Sequence, residues 1–382
     1  MRFAHGNLAY CTNIHPAESW EDTFRVLQSH TLRVRDLVCP PQKTYAIGLR
    51  LSARAARELL AADHLPRFRD WLDEHHCSVF TINGFPFGDF HGTRVKEKVY
   101  QPDWTQAARL AYTRDLFTIL TAIARPDSGA SVSTLPVSFK PFGAATAAAI
   151  PPLLELADFL DELSASSGID CHLGLEPEPF GHFENTAETL AFFEQLTSAA
   201  QHPDKVLHRI GVNYDSCHFA LQYEDPRTSL GAFQAAGIRI SKIHLSAALA
   251  IDPRDPAAID AIRAFDEPTY LHQVIARSME GDLNRHIDLP AALAATKEPV
   301  TAEEWRIHFH IPLDAEPASP LRSTRQHAVE TLHWCGENPG SCDHFEIETY
   351  TWGVLPAGLR REVETQIAAE YRWVLEHSPF PS

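Results

Sequence analysis

Several absences narrow the reading first. The 382 residues contain no apolar run near the roughly 18 residues that a membrane-spanning helix needs. The nearest stretch, residues 143–160, is alanine-rich, interrupted by Pro151, Pro152, Glu155 and Asp158, and reads as a helix in water. The seven cysteines are scattered, and no two stand at the two-residue spacing of zinc or redox motifs. Reduced thiols in a cytoplasmic protein are the expectation. The opening MRFAHGNLAYCTNIHP lacks the charged start, apolar centre and small-residue cleavage site of a secretory signal, so the mature chain is expected to begin at or near Met1. No Gly-x-Gly-x-x-Gly or phosphate-loop motif, internal repeat or low-complexity tract occurs. Basic residues are few, 33 against 50 acidic ones for a net charge of −17, which argues against affinity built on neutralising a phosphate backbone, leaves room only for a local basic patch, and predicts no nucleic-acid partner.

What is present is an alternation. Short β-like runs at residues 8–14, 44–49, 78–83, 130–134, 170–176, 209–214, 238–244 and 344–349 alternate with amphipathic stretches at 19–38, 53–74, 104–124, 145–164, 187–200, 228–236, 321–334 and 358–377. Eight strand-then-helix units predict an α/β (β/α)8 barrel, with a doubly wound open sheet as the alternative. Such barrels run to about 250 residues, so this chain carries additions. The largest is expected at 247–304, an insertion after the seventh strand that covers the barrel mouth within a single domain spanning 1–382. Its segment PTYLHQVIARSMEGDLNRHIDLP holds neither helical nor strand periodicity, and a further strand-like run, 305–311, follows it.

Catalytic groups in such a barrel come from the C-terminal ends of its strands. The fifth strand, CHLGLEPEPF, ends at Glu176 just before Pro177, which turns the chain out of the strand. The sixth, IGVNYDSCHF, ends with Asp215 and His218, spaced to converge above the barrel; alone, Asp215 reads as a helix cap. The seventh, RISKIHLSAAL, carries His244, with Lys242 on the same face. In WRIHFHIPL, His308 and His310 share one face and Phe309 the other, suiting either two inward imidazoles or a pair of satisfied core histidines. The eighth strand, DHFEIETYTW, carries Glu346 and Glu348 on one face. Glu348 lies nearer the mouth, and Glu346 sits deeper, where it is expected to orient a histidine. Three carboxylates buried together require a cation, so Glu176, Asp215, His244 and Glu348 read as ligands of a divalent metal, Mn, Mg, Co or Zn. Phe85, Phe87, Phe90, Phe180, Phe183, Tyr350 and Trp352 fall near the expected mouth, where they suit either ring stacking or loop packing.

The segments LGLEPEP, NYDSCH, KIHLS and EIETYTW resemble the xylose-isomerase-like TIM barrels, which include sugar isomerases, ketose epimerases and the endonuclease IV type. KIHLSAAL, YLHQV, HIDLP, RIHFHIPL and ETYTWGVLP resemble most the EboE-type branch of metabolite-traffic proteins. The resemblance implies a divalent metal on Glu176, Asp215, His244 and Glu348, with His218 near the substrate or a second metal. Three departures stand out. HLSAA lacks the acid that many relatives carry after the histidine, the third strand offers only Asn83 and the loop residue His91 where a three-zinc nuclease needs histidines, and the added strand has His308 where those relatives use an acid, so the resemblance does not extend to a three-zinc nuclease.

A metal-polarised carbonyl next to a proton moved by Glu176 and Glu348 would give isomerisation or epimerisation of a small polyol or sugar-like substrate. His218, Lys242, His308 and His310 are the expected substrate contacts. A non-catalytic component that binds a metabolite and hands it to pathway partner proteins, and a metal-dependent hydrolase or lyase, stay open beside it. A homo-oligomer also fits.

Overall fold

The computed structural model describes residues 2–3, 6–296, 301–356, 358 and 360–380; the expected start at Met1 and residues 297–300 of the expected insertion lie outside these. Eight parallel strands form the ring: β1 (Gly6–Tyr10), β2 (Tyr45–Arg50), β3 (Cys77–Asn83), β4 (Ala130–Thr134), β5 (Cys171–Leu175), β6 (Ile210–Asp215), β7 (Ile240–Leu245) and β8 (His344–Ile347). The pairings run in sequence order from β2 to β8 and on to β1, and a single parallel bridge, Cys11 with Gly48, closes the ring between β1 and β2. A short strand, Arg2–Phe3, adds antiparallel to β1. This is the α/β barrel that the alternation predicts.

The helices begin where capping side chains reach their free amides. Ser19, Ser52, Asn185 and Asp225 each accept a hydrogen bond from the backbone N–H three residues on. Helix Thr146–Ser167 stops at Gly168, whose φ of +71° ends it in a left-handed turn. The single helix expected over 53–74 is two, Ala53–Leu60 and His64–Glu74, separated where Ala62 takes a φ of +52°. None of the helices among the described residues is long and apolar enough to cross a membrane, and all seven cysteines are buried and unbridged.

The addition after β7 differs from its expected form. It is a five-stranded antiparallel sheet whose strands, in spatial order, are Leu283–His286, Val274–Ser278, Ala302–Ile307, Leu249–Ile251 and Arg322–Ser323. It therefore extends past residue 304, and the strand expected over 305–311 ends at Ile307. The segment without visible periodicity is a hairpin whose turn holds Gly281 at φ +92°. Its strands are four and five residues long, too short for alternation to stand out.

Between ring and helices the packing is apolar, with Leu116, Leu120, Leu153, Leu156 and Leu160 fully buried. Inside the ring it is polar and layered. At the bottom, His172 bonds Ser241 (2.6 Å) and His344 bonds Ser131 (2.7 Å). One layer up, the Lys242 ammonium donates to Glu346 (2.6 Å) and to Ser133 (2.9 Å). Gly48 makes room for this layer, because a Cβ there would lie 2.0 Å from Glu346 Oε1. The third layer is the site.

Candidate metal and substrate site

Glu176, Asp215, His244 and Glu348, from the ends of β5, β6, β7 and β8, are buried, with one potential ligand atom of each within 4.8 Å of the others. His244 Nδ1 stands at the centre, 3.0 Å from Glu176 Oε1, 3.3 Å from Glu348 Oε2 and 3.5 Å from Asp215 Oδ2. Its Nε2 meets Glu346 Oε2 at 2.9 Å, so Glu346 orients the ring from the layer below. Asp215 has two jobs on its two oxygens. Oδ1 caps the short helix Ser216–Leu221, accepting from the N–H of Cys217 (2.7 Å) and His218 (3.2 Å), and also accepts from Ser246 Oγ (2.5 Å); Oδ2 is left free toward His244. Glu348 is held by Asn13 and Asn83, whose amides each donate to Oε1 at 2.8 Å.

Charge is unevenly distributed here. Burial opposes a charge on His244, yet Glu348, Glu176 and Asp215 hold its pKa well above the usual 6.5. Burial would lift Asp215, but His218, His310 and His244 keep it well below the ordinary aspartate value. Glu178, against the same cluster, goes the other way: burial raises it well above 4.5, Tyr100 offsets part of this, and Glu176, Asp215 and Glu348 add repulsion. Burial brings His218 down to about 4.

The donor set fits a divalent cation on an observation independent of the motif. Glu176 Oε2 and Asp215 Oδ2 are buried without any hydrogen-bond partner, a costly state for carboxylate oxygens unless a cation faces them. Four donors with three carboxylates suit Mn²⁺, Mg²⁺ or Zn²⁺.

A pocket opens above, lined by Glu176, Glu348, Glu178, His218, His308, Asn13 and Asn83, with Phe85, Phe90, Tyr100, Tyr270 and Tyr350 on its walls. The inserted segment contributes Tyr270, Leu271, Gln273 and His308. Of the expected substrate contacts, His218 and His308 reach the cavity. His310 lies behind them, 3.1 Å from His308, and Lys242 sits a layer down, fully buried against Glu346 and Ser133. Of the expected aromatics, Phe85, Phe90 and Tyr350 line the cavity; Phe87, Phe180, Phe183 and Trp352 do not. Glu178, Asn13 and Gln273 are lining residues that motif reasoning passed over. For Glu178 a signal existed, the second acid of EPEP two residues past Glu176.

Fold and site together define a parallel β/α barrel with a histidine–carboxylate cluster at the C-terminal ends of its strands. No family model matches the chain, and no curated protein matches it. Among solved structures it is similar to D-psicose 3-epimerase in the presence of D-fructose (11% identity over 97% of this chain and 98% of that one, TM-score 0.48). It is also similar to the IOLI protein with a bound zinc atom (12%, 97% and 97%, TM-score 0.47). A third is the probable 3-DHS dehydratase AsbF from Bacillus anthracis (12%, 97% and 98%, TM-score 0.45).

Proposed function

We propose that the protein is a metal-dependent isomerase or epimerase of a small polyhydroxylated metabolite: a sugar, sugar phosphate or cyclitol. One observation carries the reading: three carboxylates and an imidazole meet beneath a pocket that two of them, Glu176 and Glu348, line, and two carboxylate oxygens of the cluster lack a hydrogen-bond partner. Glu176, Asp215, His244 and Glu348 would hold the ion, which when bound polarises a substrate carbonyl and its neighbouring hydroxyl. Glu346 keeps His244 in one tautomer, and Asn13 and Asn83 keep Glu348 aimed. Glu176 and Glu348 come from strands separated by β6 and β7, so they flank a bound carbon from different sides and are suited to take and return its proton. Phe85, Phe90 and Tyr350 offer ring faces and exclude water.

The test is proton exchange in deuterated water across a panel of ketoses, aldoses, their phosphates and cyclitol ketones, followed by NMR. At least one member should acquire deuterium at carbon. Glu176→Gln and Glu348→Gln should each slow this by about 100-fold or more. A fully metallated protein that binds a panel member and exchanges no carbon-bound proton would instead be the metabolite carrier of the EboE-type resemblance. The hydrolase or lyase reading draws on His218 and His308 facing the cavity beside the cluster. Label from ¹⁸O-water in the product would favour it.

A further inference from the structure

We propose that the substrate is amphipathic: an uncharged, hydroxylated head held over the carboxylate cluster, and an apolar ring, of the aryl kind, seated between the aromatic walls of the pocket. The inference rests on the reaction proposed above and narrows its substrate, setting sugar phosphates and unsubstituted sugars aside.

The polar capacity of the pocket lies at one end. Among its described lining residues, the buried side-chain atoms without a hydrogen-bond partner are Asn13 Oδ1, Glu176 Oε2 and Glu178 Oε1. Asn13 also holds Glu348, and Glu178 Oε2 stands 4.0 Å from His218 Nε2, so all three belong to the end beside the cluster. Each is an acceptor and calls for a hydroxyl donor. The other amides and hydroxyls of the lining are spent on protein partners. Asn83 donates to Glu348 and accepts from the Phe85 N–H (3.1 Å). Gln273 donates to the Pro179 carbonyl (3.1 Å) and accepts from His308 Nδ1 (2.7 Å); the Tyr100 hydroxyl also reaches that carbonyl (3.5 Å). His91 Nε2 donates to the Asn13 carbonyl (2.6 Å), so its Nδ1 accepts from the Tyr270 hydroxyl (2.8 Å). The Tyr350 hydroxyl is the exception among the described residues, and its ring lies 4.7 Å from that of His310, toward the cluster. Lys96, the one lysine or arginine of the described lining, is paired with Asp288.

Away from that end the walls are hydrocarbon. On one side Phe90, Tyr270 and Tyr350 pack together, with ring centroids 5.3, 5.3 and 5.1 Å apart. On the other, Phe85 meets Tyr100 edge-on at 5.7 Å. Among the described residues no ring of one group contacts a ring of the other, yet both line the pocket, so the space between them is the pocket itself. Phe90, Val95 and Tyr270 form an apolar cluster separate from the barrel core that holds Phe85 and Tyr100, and Val99 packs against both. Val99 and Leu271, half-buried, complete the mouth. A hydroxyl placed between these walls gives up water and finds no partner, which is unfavourable, and a phosphate finds the lysine of the mouth already taken. An aryl ring instead meets ring faces and edges and gives up only its apolar contact with water.

The test compares each ketose of the exchange panel in three forms, the free sugar, its terminal phosphate and its terminal benzyl ether, by calorimetric titration of the full chain loaded with Mn²⁺. The benzyl ether should bind at least about 10-fold more tightly than either of the others, the gain expected when a phenyl ring leaves water. Leu271→Asn and Val99→Asn, both at the half-buried mouth, should remove most of that preference. A benzyl ether that binds no better than the free ketose, a phosphate that binds best, or a preference that survives both variants would overturn the inference. Tight binding of the benzyl ether without exchange of any carbon-bound proton would instead overturn the isomerase reading and leave the ligand class standing.

Discussion

At the scale of single residues, the barrel interior depends on charges that are buried only because they are matched. Lys242 and Glu346 are both completely inaccessible, and Glu346 also holds His244. Removing one partner leaves the other charge uncompensated, so Glu346→Ala is expected to destabilise the fold by about 3–5 kcal/mol in urea denaturation. Gly48→Ala should be destabilising as well, because its Cβ would collide with the Glu346 carboxylate, and Glu346→Ala should relieve part of that effect in the double variant. Glu370 supplies a pH signature away from the site. It is buried and accepts from Thr349 Oγ1 (2.7 Å) and from the Leu313 N–H (3.1 Å). Burial outweighs these bonds and raises its pKa from the usual 4.5 to about 7. Between those two values the unfolded chain has lost a proton that the folded chain keeps, so stability falls as pH rises, and above about 7 the loss is complete. Glu370→Gln should therefore gain up to about 3 kcal/mol over the parent at pH 8 and much less at pH 5, measured by denaturation at each pH. An equal gain at both would show that the carboxyl is not the cause.

At the scale of elements, Tyr223, just past the helix Ser216–Leu221, helps to join that helix to the inserted sheet, as does Arg306, which donates to the Ala220 carbonyl. Tyr223 lies between two guanidinium groups of the sheet, Arg306 at 4.0 Å and Arg277 at 4.4 Å from its ring centre. Its hydroxyl reaches the carbonyls of Ile275 (3.2 Å) and Glu304 (3.1 Å). This clamp connects the helix that carries His218 to the strand that leads into His308 and His310. Two cation–π contacts and a hydrogen bond set the expected loss for Tyr223→Leu at about 2 kcal/mol. Amide exchange should quicken in Val274–Ser278 and Ala302–Ile307 while β3 to β6 remain protected. Uniform quickening would mean that sheet and barrel unfold as one unit.

Over the whole molecule the chain carries an excess of 17 negative charges, and three of its carboxylates, Glu176, Asp215 and Glu348, face one another in the buried site. A bound cation offsets that repulsion only in the folded state. Chelation should lower the melting temperature by several degrees, and Mn²⁺ or Zn²⁺ should restore it, since saturation at about a thousandfold over Kd contributes about 4 kcal/mol. An unchanged melting curve would remove the metal from the account. All eight ring strands were legible in the sequence, because each is a short apolar run followed by a periodic helix, and those patterns are local. The strand-end acids and His244 were legible for the same reason: a strand's last residue and the turn after it are written in adjacent letters. The inserted sheet was not, because its short strands pair across gaps that no local periodicity spans. The sequence by itself therefore determined the barrel and the level at which Glu176, Asp215, His244 and Glu348 stand. Only the tertiary structure decided that Lys242 lies beneath the cavity and that Glu178 and Gln273 line it. Those side chains come from distant segments, which meet only after the chain has closed on itself.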